Sequence, residues 1–274
     1  MEFGCRAHDL TRAHTPDELG RACEEQGVRY VQLALAKSFP QMASGAGEIS
    51  PGMGAHVRRA LAAHGVEVAV MGCYFNLIDP DLAAREQGIR KFEAYLSCAR
   101  SFGCGIVASE TGSVDPAFRY TEENFTDEAF GEAADVIGRL VAHAERVGAV
   151  VGIEPGVNHP IHDVETCARL VEAVGGSPAL GFILDPTALI TCELAPAQLD
   201  ITRAMLAAFP ERIVATHLVD FRVEGGALVR CDLGEGQMDV DAVLGAVEAA
   251  KPHGFVLTEF TEDDAVGRFI ASRR

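Results

Sequence analysis

Apolar residues fall along this chain in two alternating patterns. Short, nearly continuous apolar runs, "EFGCRA", "RYVQLALA", "VEVAVMGC", "GCGIVAS", "AVVGIE", "ALGFILD", "RIVATHLVD" and "GFVLTEF", predict eight strands. Between them, stretches such as "GAHVRRALAAHG", "REQGIRKFEAYLSCARSFG", "DEAFGEAADVIGRLVAHAERVG" and "DVETCARLVEAVGG" carry apolar residues at helical spacing. Several of these stop at a glycine just before the next strand, as helix C-termini do. Strands this apolar are buried on both faces, which points to a parallel sheet covered by helices. Eight such units in 274 residues predict an α/β fold, a single-domain (β/α)8 TIM barrel spanning 1–274. An open doubly wound sheet is the alternative, but it needs a nucleotide cradle. No G-x-G-x-x-G follows the first strand, and no G-x-x-x-x-G-K-[ST] occurs. The glycine-rich "SGAGEISPGMG" (44–54) is predicted to be a mobile loop after the second strand.

In a barrel of this kind the functional face lies at the carboxyl ends of the strands. The fifth strand ends on Glu154 and the sixth on Asp185, while the seventh carries His217 and the eighth Glu259. These residues lie 31, 32 and 42 positions apart, one β–α unit each time. Each has a plain explanation when taken alone. Asp185 before Pro186 makes a good helix start. His217 suits a satisfied core histidine, and Glu154 and Glu259 suit acids complementing helix dipoles. Jointly they are harder to dismiss, because a buried unpaired charge is costly and none of these four strand ends carries Lys or Arg. A divalent cation would neutralise them. Three carboxylates and one imidazole suit Mn²⁺, Mg²⁺ or Co²⁺, with Zn²⁺ also accommodated.

Other polar residues fall on the same rim: His8 and Asp9 after the first strand, Lys37 after the second, Asn76 after the third and Glu110 after the fourth. His159 and His162 follow the fifth strand, and Arg222 follows "HLVD". Rim loops are polar in any case, so each reads either as an ordinary loop residue or as a substrate contact. Lys37 and Arg222 are the ones suited to an anionic or hydroxyl-bearing ligand.

Composition narrows the partners. A hydrophobic share of 48% supports a large core, and a formal charge of −17 with scattered Lys and Arg argues against nucleic acid. The 8 cysteines show no C-x-x-C pair and read as reduced thiols of a cytoplasmic protein. The start "MEFGCRAHDLTRAH" has no apolar signal core, and no run approaches a membrane span.

"VGIEPG", "FILDP", "ATHLVD", "LGEGQMDVDAVLGAVEAA" and "HGFVLTEF", with "YFNLIDPD" and "ARSFGCGIVASETGS" upstream, resemble the xylose-isomerase-like barrels of the sugar phosphate isomerase/epimerase type. The glycines Gly234 and Gly236 match that family's loop before the last α–β unit. The resemblance spans nearly the whole chain. It implies one divalent metal, manganese first, held by Glu154, Asp185, His217 and Glu259. Glu154 and Glu259 would also act as base and acid on a small carbohydrate, through a metal-stabilised enediolate. Family habit also implies a homo-oligomer. Where many members carry a substrate-touching histidine, three residues after the aspartate, this chain has Ala188. A lyase of the inosose or dehydroshikimate dehydratase type, and a non-catalytic binding barrel, remain open alternatives. An abasic-site endonuclease, which shares the barrel, lacks its additional histidines here.

Overall fold

The computed structural model describes residues 1–273. Eight parallel strands close into a barrel: β1 (Glu2–Arg6), β2 (Tyr30–Leu33), β3 (Glu67–Gly72), β4 (Ile106–Glu110), β5 (Val150–Glu154), β6 (Leu180–Leu184), β7 (Ile213–Leu218) and β10 (Phe255–Thr258). Each strand pairs with its successor, and β10 pairs with β1 to seal the ring. Two further strands, β8 (Asp220–Glu224) and β9 (Ala227–Cys231), form an antiparallel hairpin outside the barrel. The predicted (β/α)8 barrel is the observed fold, and the hairpin is an addition that periodicity did not announce.

Around the barrel run α1 (Pro16–Gln26), α2 (Leu35–Ser38), α3 (Pro51–Ala62), α4 (Leu82–Cys98), α5 (Asp127–Val147), α6 (Val164–Ala173), α7 (Gln198–Ala208), α8 (Val240–Ala250) and α9 (Asp264–Ser272). Local chemistry sets several boundaries. Thr15 caps α1 ahead of Pro16, and Asp163 and Thr166 form a capping box on α6. Gly27 and Gly148 end α1 and α5 in the left-handed conformation. The second predicted strand is cut short, because "LAKS" turns into α2. The glycine-rich segment is only partly a loop: Ser50 caps α3, and Pro51 opens it.

The barrel interior is filled by small and branched residues, Ala69, Val70, Ala108, Ile183, Ala215 and Leu257. A much larger apolar layer lies between the barrel and the helices, with Phe92, Tyr95, Phe102 and Phe182 fully buried. This double layer holds the strand ends as a rigid platform. All eight cysteines are free thiols, six of them buried. Among the described residues, no helix is long and apolar enough to cross a membrane.

Candidate metal and substrate site

Glu154 ends β5, Asp185 follows β6, His217 sits near the end of β7 and Glu259 follows β10, all buried at the carboxyl mouth of the barrel. No helix starts at any of the three acids. The next α-helices begin at Val164, Gln198 and Asp264, and a short 3-10 turn only at Ala195, so the capping explanations do not hold. Asp185 instead closes a turn, its Oδ1 accepting the Thr187 N–H at 2.7 Å.

Ligand atoms of Glu154, His217 and Glu259 lie within 4.8 Å of one another. His217 Nδ1 is 3.3 Å from Glu154 Oε1 and 3.4 Å from Glu259 Oε1. The far side of the ring is fixed by Gln32, whose Oε1 lies 2.7 Å from Nε2. Gln32 also donates its amide N–H to the Tyr74 hydroxyl at 2.5 Å, so its carbonyl must face the histidine. Nε2 therefore carries a proton, and Nδ1 is turned toward the two carboxylates, which favour a second proton there in the metal-free protein. Once a cation displaces the Nδ1 proton, three ligand atoms face one point and the Gln32 amide orients the imidazole, an arrangement that fits a divalent ion. Asp185 lines the same cleft beside this trio.

Charge crowding is visible in the titration behaviour. Burial would push His217 down, but Glu259 and Glu154 raise it to about 9. Burial pushes Asp185 up to about 7, helped by the charges of Glu154 and Glu259. Burial also works to raise Glu154, yet His217 holds it below the ordinary carboxylate value. One cation does reach the cluster. Barrel closure puts β1 beside β10, and Arg6 from β1 extends Nη1 to 3.4 Å from Glu259 Oε2. Arg6 is itself clamped by Asp9, at 2.7 Å.

The three acids line a cleft of about 550 Å³, with His217 buried behind them, a size within the usual range for a small-molecule site. Lys37, Glu110 and His159 line it, as does Ala188. Lys37 Nζ lies 4.5 Å from the Tyr74 ring centre. Partial desolvation raises Glu110, and the charge of Glu154 adds to this. His159 Nδ1 donates to the Gly112 carbonyl at 2.7 Å, leaving Nε2 for the cleft. The Ala188 carbonyl accepts the Val157 N–H at 2.8 Å, which ties the loop after β6 to the loop carrying His159.

Asn76 and Arg222 are placed elsewhere. Asn76 is a buried brace whose Nδ2 donates to the Ser113 carbonyl at 2.8 Å and whose Oδ1 accepts the Ser113 N–H at 2.9 Å. Arg222 sits on β8 with its guanidinium on the Glu235 carbonyl (2.9 Å), outside the residues that line the cleft. The hairpin instead delivers Leu228 and Arg230 to the lining.

Gln32, Tyr74, Arg6, Arg230 and Phe260 were not among the expected site residues. Two had a readable signal: Gln32 is a lone polar residue in an apolar strand, and Arg6 ends a strand just as Glu154 does. The glycine pair explains itself. The Gly234 and Gly236 N–H groups each donate to Asp220 Oδ2 at 2.9 Å, while Met238 and Phe221 N–H donate to Oδ1. A Cβ at Gly236 would stand 2.1 Å from Asp220 Oδ1, so only glycine fits there.

No curated protein matches the sequence significantly. Among solved structures, the IolI protein with a bound zinc atom is 17% identical, with a TM-score of 0.74 over 100% of this chain and 96% of that one. The probable 3-DHS dehydratase AsbF of Bacillus anthracis is 15% identical, with a TM-score of 0.74 and full coverage (100%) of both chains. The 3-keto-D-glucoside 4-epimerase YcjR of E. coli is 16% identical, with a TM-score of 0.72 over 99% and 98%. At these identities the likeness is one of fold. The family model for the xylose isomerase-like TIM barrel matches residues 20–271. The chain belongs to the xylose isomerase-like TIM barrel family.

Proposed function

We propose that the protein is a divalent-metal-dependent isomerase or epimerase acting on a small sugar or keto-sugar. The observation that carries this reading is the convergence of Glu154, His217 and Glu259, with Asp185 beside them, at the base of one cleft. Those four residues would hold one ion, manganese by preference, with magnesium, cobalt or zinc as alternatives. Bound there, it would supply positive charge that lowers the cost of negative charge on a carbonyl oxygen. Glu154 and Glu259 come from strands separated in the ring by β6 and β7, so they approach a ligand from different sides. One would remove a proton from the carbon next to the carbonyl, and the other would return it. Arg6 orients Glu259 for that task, and the Gln32–Tyr74 pair holds His217 in place. The epimerase and dehydratase names among the structural relatives are compatible with this chemistry, since both reactions start with proton removal beside a carbonyl.

The test has two parts. Elemental analysis of purified wild type should find about one divalent ion per chain, lost in Asp185→Asn; neither variant holding metal would sink the reading. Metal-loaded protein in deuterated water should then exchange a carbon-bound hydrogen of a ketose or inosose, seen by proton NMR. An enone chromophore without exchange into recovered substrate would move the assignment to the lyase alternative.

A further inference from the structure

Besides the acids, the cleft is lined by two cations that the acids do not neutralise, Arg230 and Lys37. Arg230 on β9 faces the cleft with its guanidinium stacked on Phe260, 3.9 Å from the ring centre. Among the described residues it has no carboxylate within 4.0 Å and no hydrogen-bond acceptor, although the chain carries 40 acids against 23 Lys and Arg. Lys37 is likewise free of an acid at that distance and rests on Tyr74. Arg6 also lies over the Phe260 ring, at 4.0 Å, but its donors are spent on Asp9 and Glu259. Phe260 contacts both guanidiniums and does so at a cost. Its φ of 52° lies in the left-handed region, which bulky residues avoid, and Asp9 holds it there by accepting its N–H at 3.0 Å.

We propose that the substrate carries an oxyanion, a carboxylate or a phosphate, at the end away from the carboxylate–histidine cluster, and that Arg230 with Lys37 binds it. This rests on the proposed sugar chemistry and adds the substrate class. A planar guanidinium with all its donors unspent matches a carboxylate or phosphate edge in bidentate fashion, while an ammonium supplies a point charge. Acids at the floor would repel such a group, so the ligand is oriented with its anionic end at the hairpin. The cleft, about 550 Å³, has room for a six-carbon acid or a sugar phosphate spanning both ends. The hairpin thereby acts as a specificity element grafted onto the barrel rim.

Isothermal titration of glucose, glucuronate, glucose 6-phosphate and inorganic phosphate into wild type, Arg230→Gln, Lys37→Gln and Arg222→Gln tests this. Glucuronate or glucose 6-phosphate should bind at least about tenfold tighter than glucose, the magnitude of one charge-assisted pair. Which of the two binds distinguishes carboxylate from phosphate. Arg230→Gln should lose about tenfold of that preference while glucose binding holds, and Arg222→Gln should keep it. The proposal is overturned if glucose binds as well as the anions, if neither anion binds, or if Arg230→Gln keeps the preference. Inorganic phosphate that binds wild type and Arg230→Gln alike is held elsewhere and also counts against it. Running every titration with and without Mn²⁺ separates the two readings. A protein that takes up no metal fails the proposed function alone, because the metal-free arm still measures Arg230.

Discussion

The two ends of this barrel handle charge in opposite ways. At the amino end, where strands begin, Tyr30 and Phe255 stack with ring centres 5.3 Å apart, and Phe3 meets Phe269 edge-on. The charges there lie at the surface, in neighbouring opposite pairs such as His64 with Glu24. At the carboxyl end, Glu154, Asp185 and Glu259 are buried together with His217, and among the described residues Arg6 is the one guanidinium within 4.0 Å of them. Clefts occur at both ends: one of about 460 Å³ lined by Val28, Tyr30 and His64, and one of about 550 Å³ over the acids. Cleft size therefore does not separate them. What separates them is burial of charge: at one end opposite charges pair at the surface, and at the other three carboxylates are crowded in the interior against one imidazole and one guanidinium.

Removing His217 should break this contrast most strongly. In metal-free protein, His217→Ala leaves buried acids facing one another, at a cost of about 3–5 kcal/mol in urea unfolding. A variant as stable as wild type would mean that the acids do not depend on the imidazole. Next in size is Asp220→Ala, which deprives four backbone N–H groups of their acceptor and frees the hairpin loop. A loss of about 2–3 kcal/mol is expected, with Asp220→Asn in between. Gln32→Leu should leave the fold in place yet weaken Mn²⁺ binding by about 10- to 100-fold in calorimetric titration, because the imidazole loses its orienting partner. Unchanged affinity would reduce Gln32 to a core hydrogen bond.

The same contrast explains what could be read in advance. Apolar runs bounded by glycine and helical periodicity are local signals, and they located all eight barrel strands. The strand-end rule brought Glu154, Asp185, His217 and Glu259 to one rim because a barrel's topology converts regular spacing into proximity. Arg6 escaped because its role depends on closure of β1 against β10, a contact between residues 253 positions apart. The hairpin escaped for a different reason. "FRVEGGALVRC" is largely exposed, so no buried face imprints a period of two on it. Arg230 consequently had no local mark, and Arg222, one position out of register with it on the facing strand, attracted the attention instead. Asn76 shows the converse error: a polar residue after a strand can be consumed in bracing two loops.

The smallest expected effect lies at the amino end and tests whether charge there is purely structural. His64 follows α3 and reaches α1 with both ring nitrogens, Nδ1 at 2.7 Å from Glu24 and Nε2 at 3.4 Å from Asp17. Gly20 makes the contact possible, since a Cβ there would stand 2.6 Å from the ring. Hydrogen bonds to Glu24 and then Asp17 raise His64 above its ordinary value of 6.5. A raised folded value means the protonated ring stabilises the fold fully below that ordinary value, and the benefit fades as pH climbs through the raised one. His64→Gln should therefore lower Tm by a degree or two at pH 5.5, about what a small exposed pair contributes, and by less at pH 9. Salt should shrink the difference, since the pair faces solvent. An equal Tm loss at both pH values would show that His64 acts by packing against Gly20, and the amino end would then owe nothing to its charges.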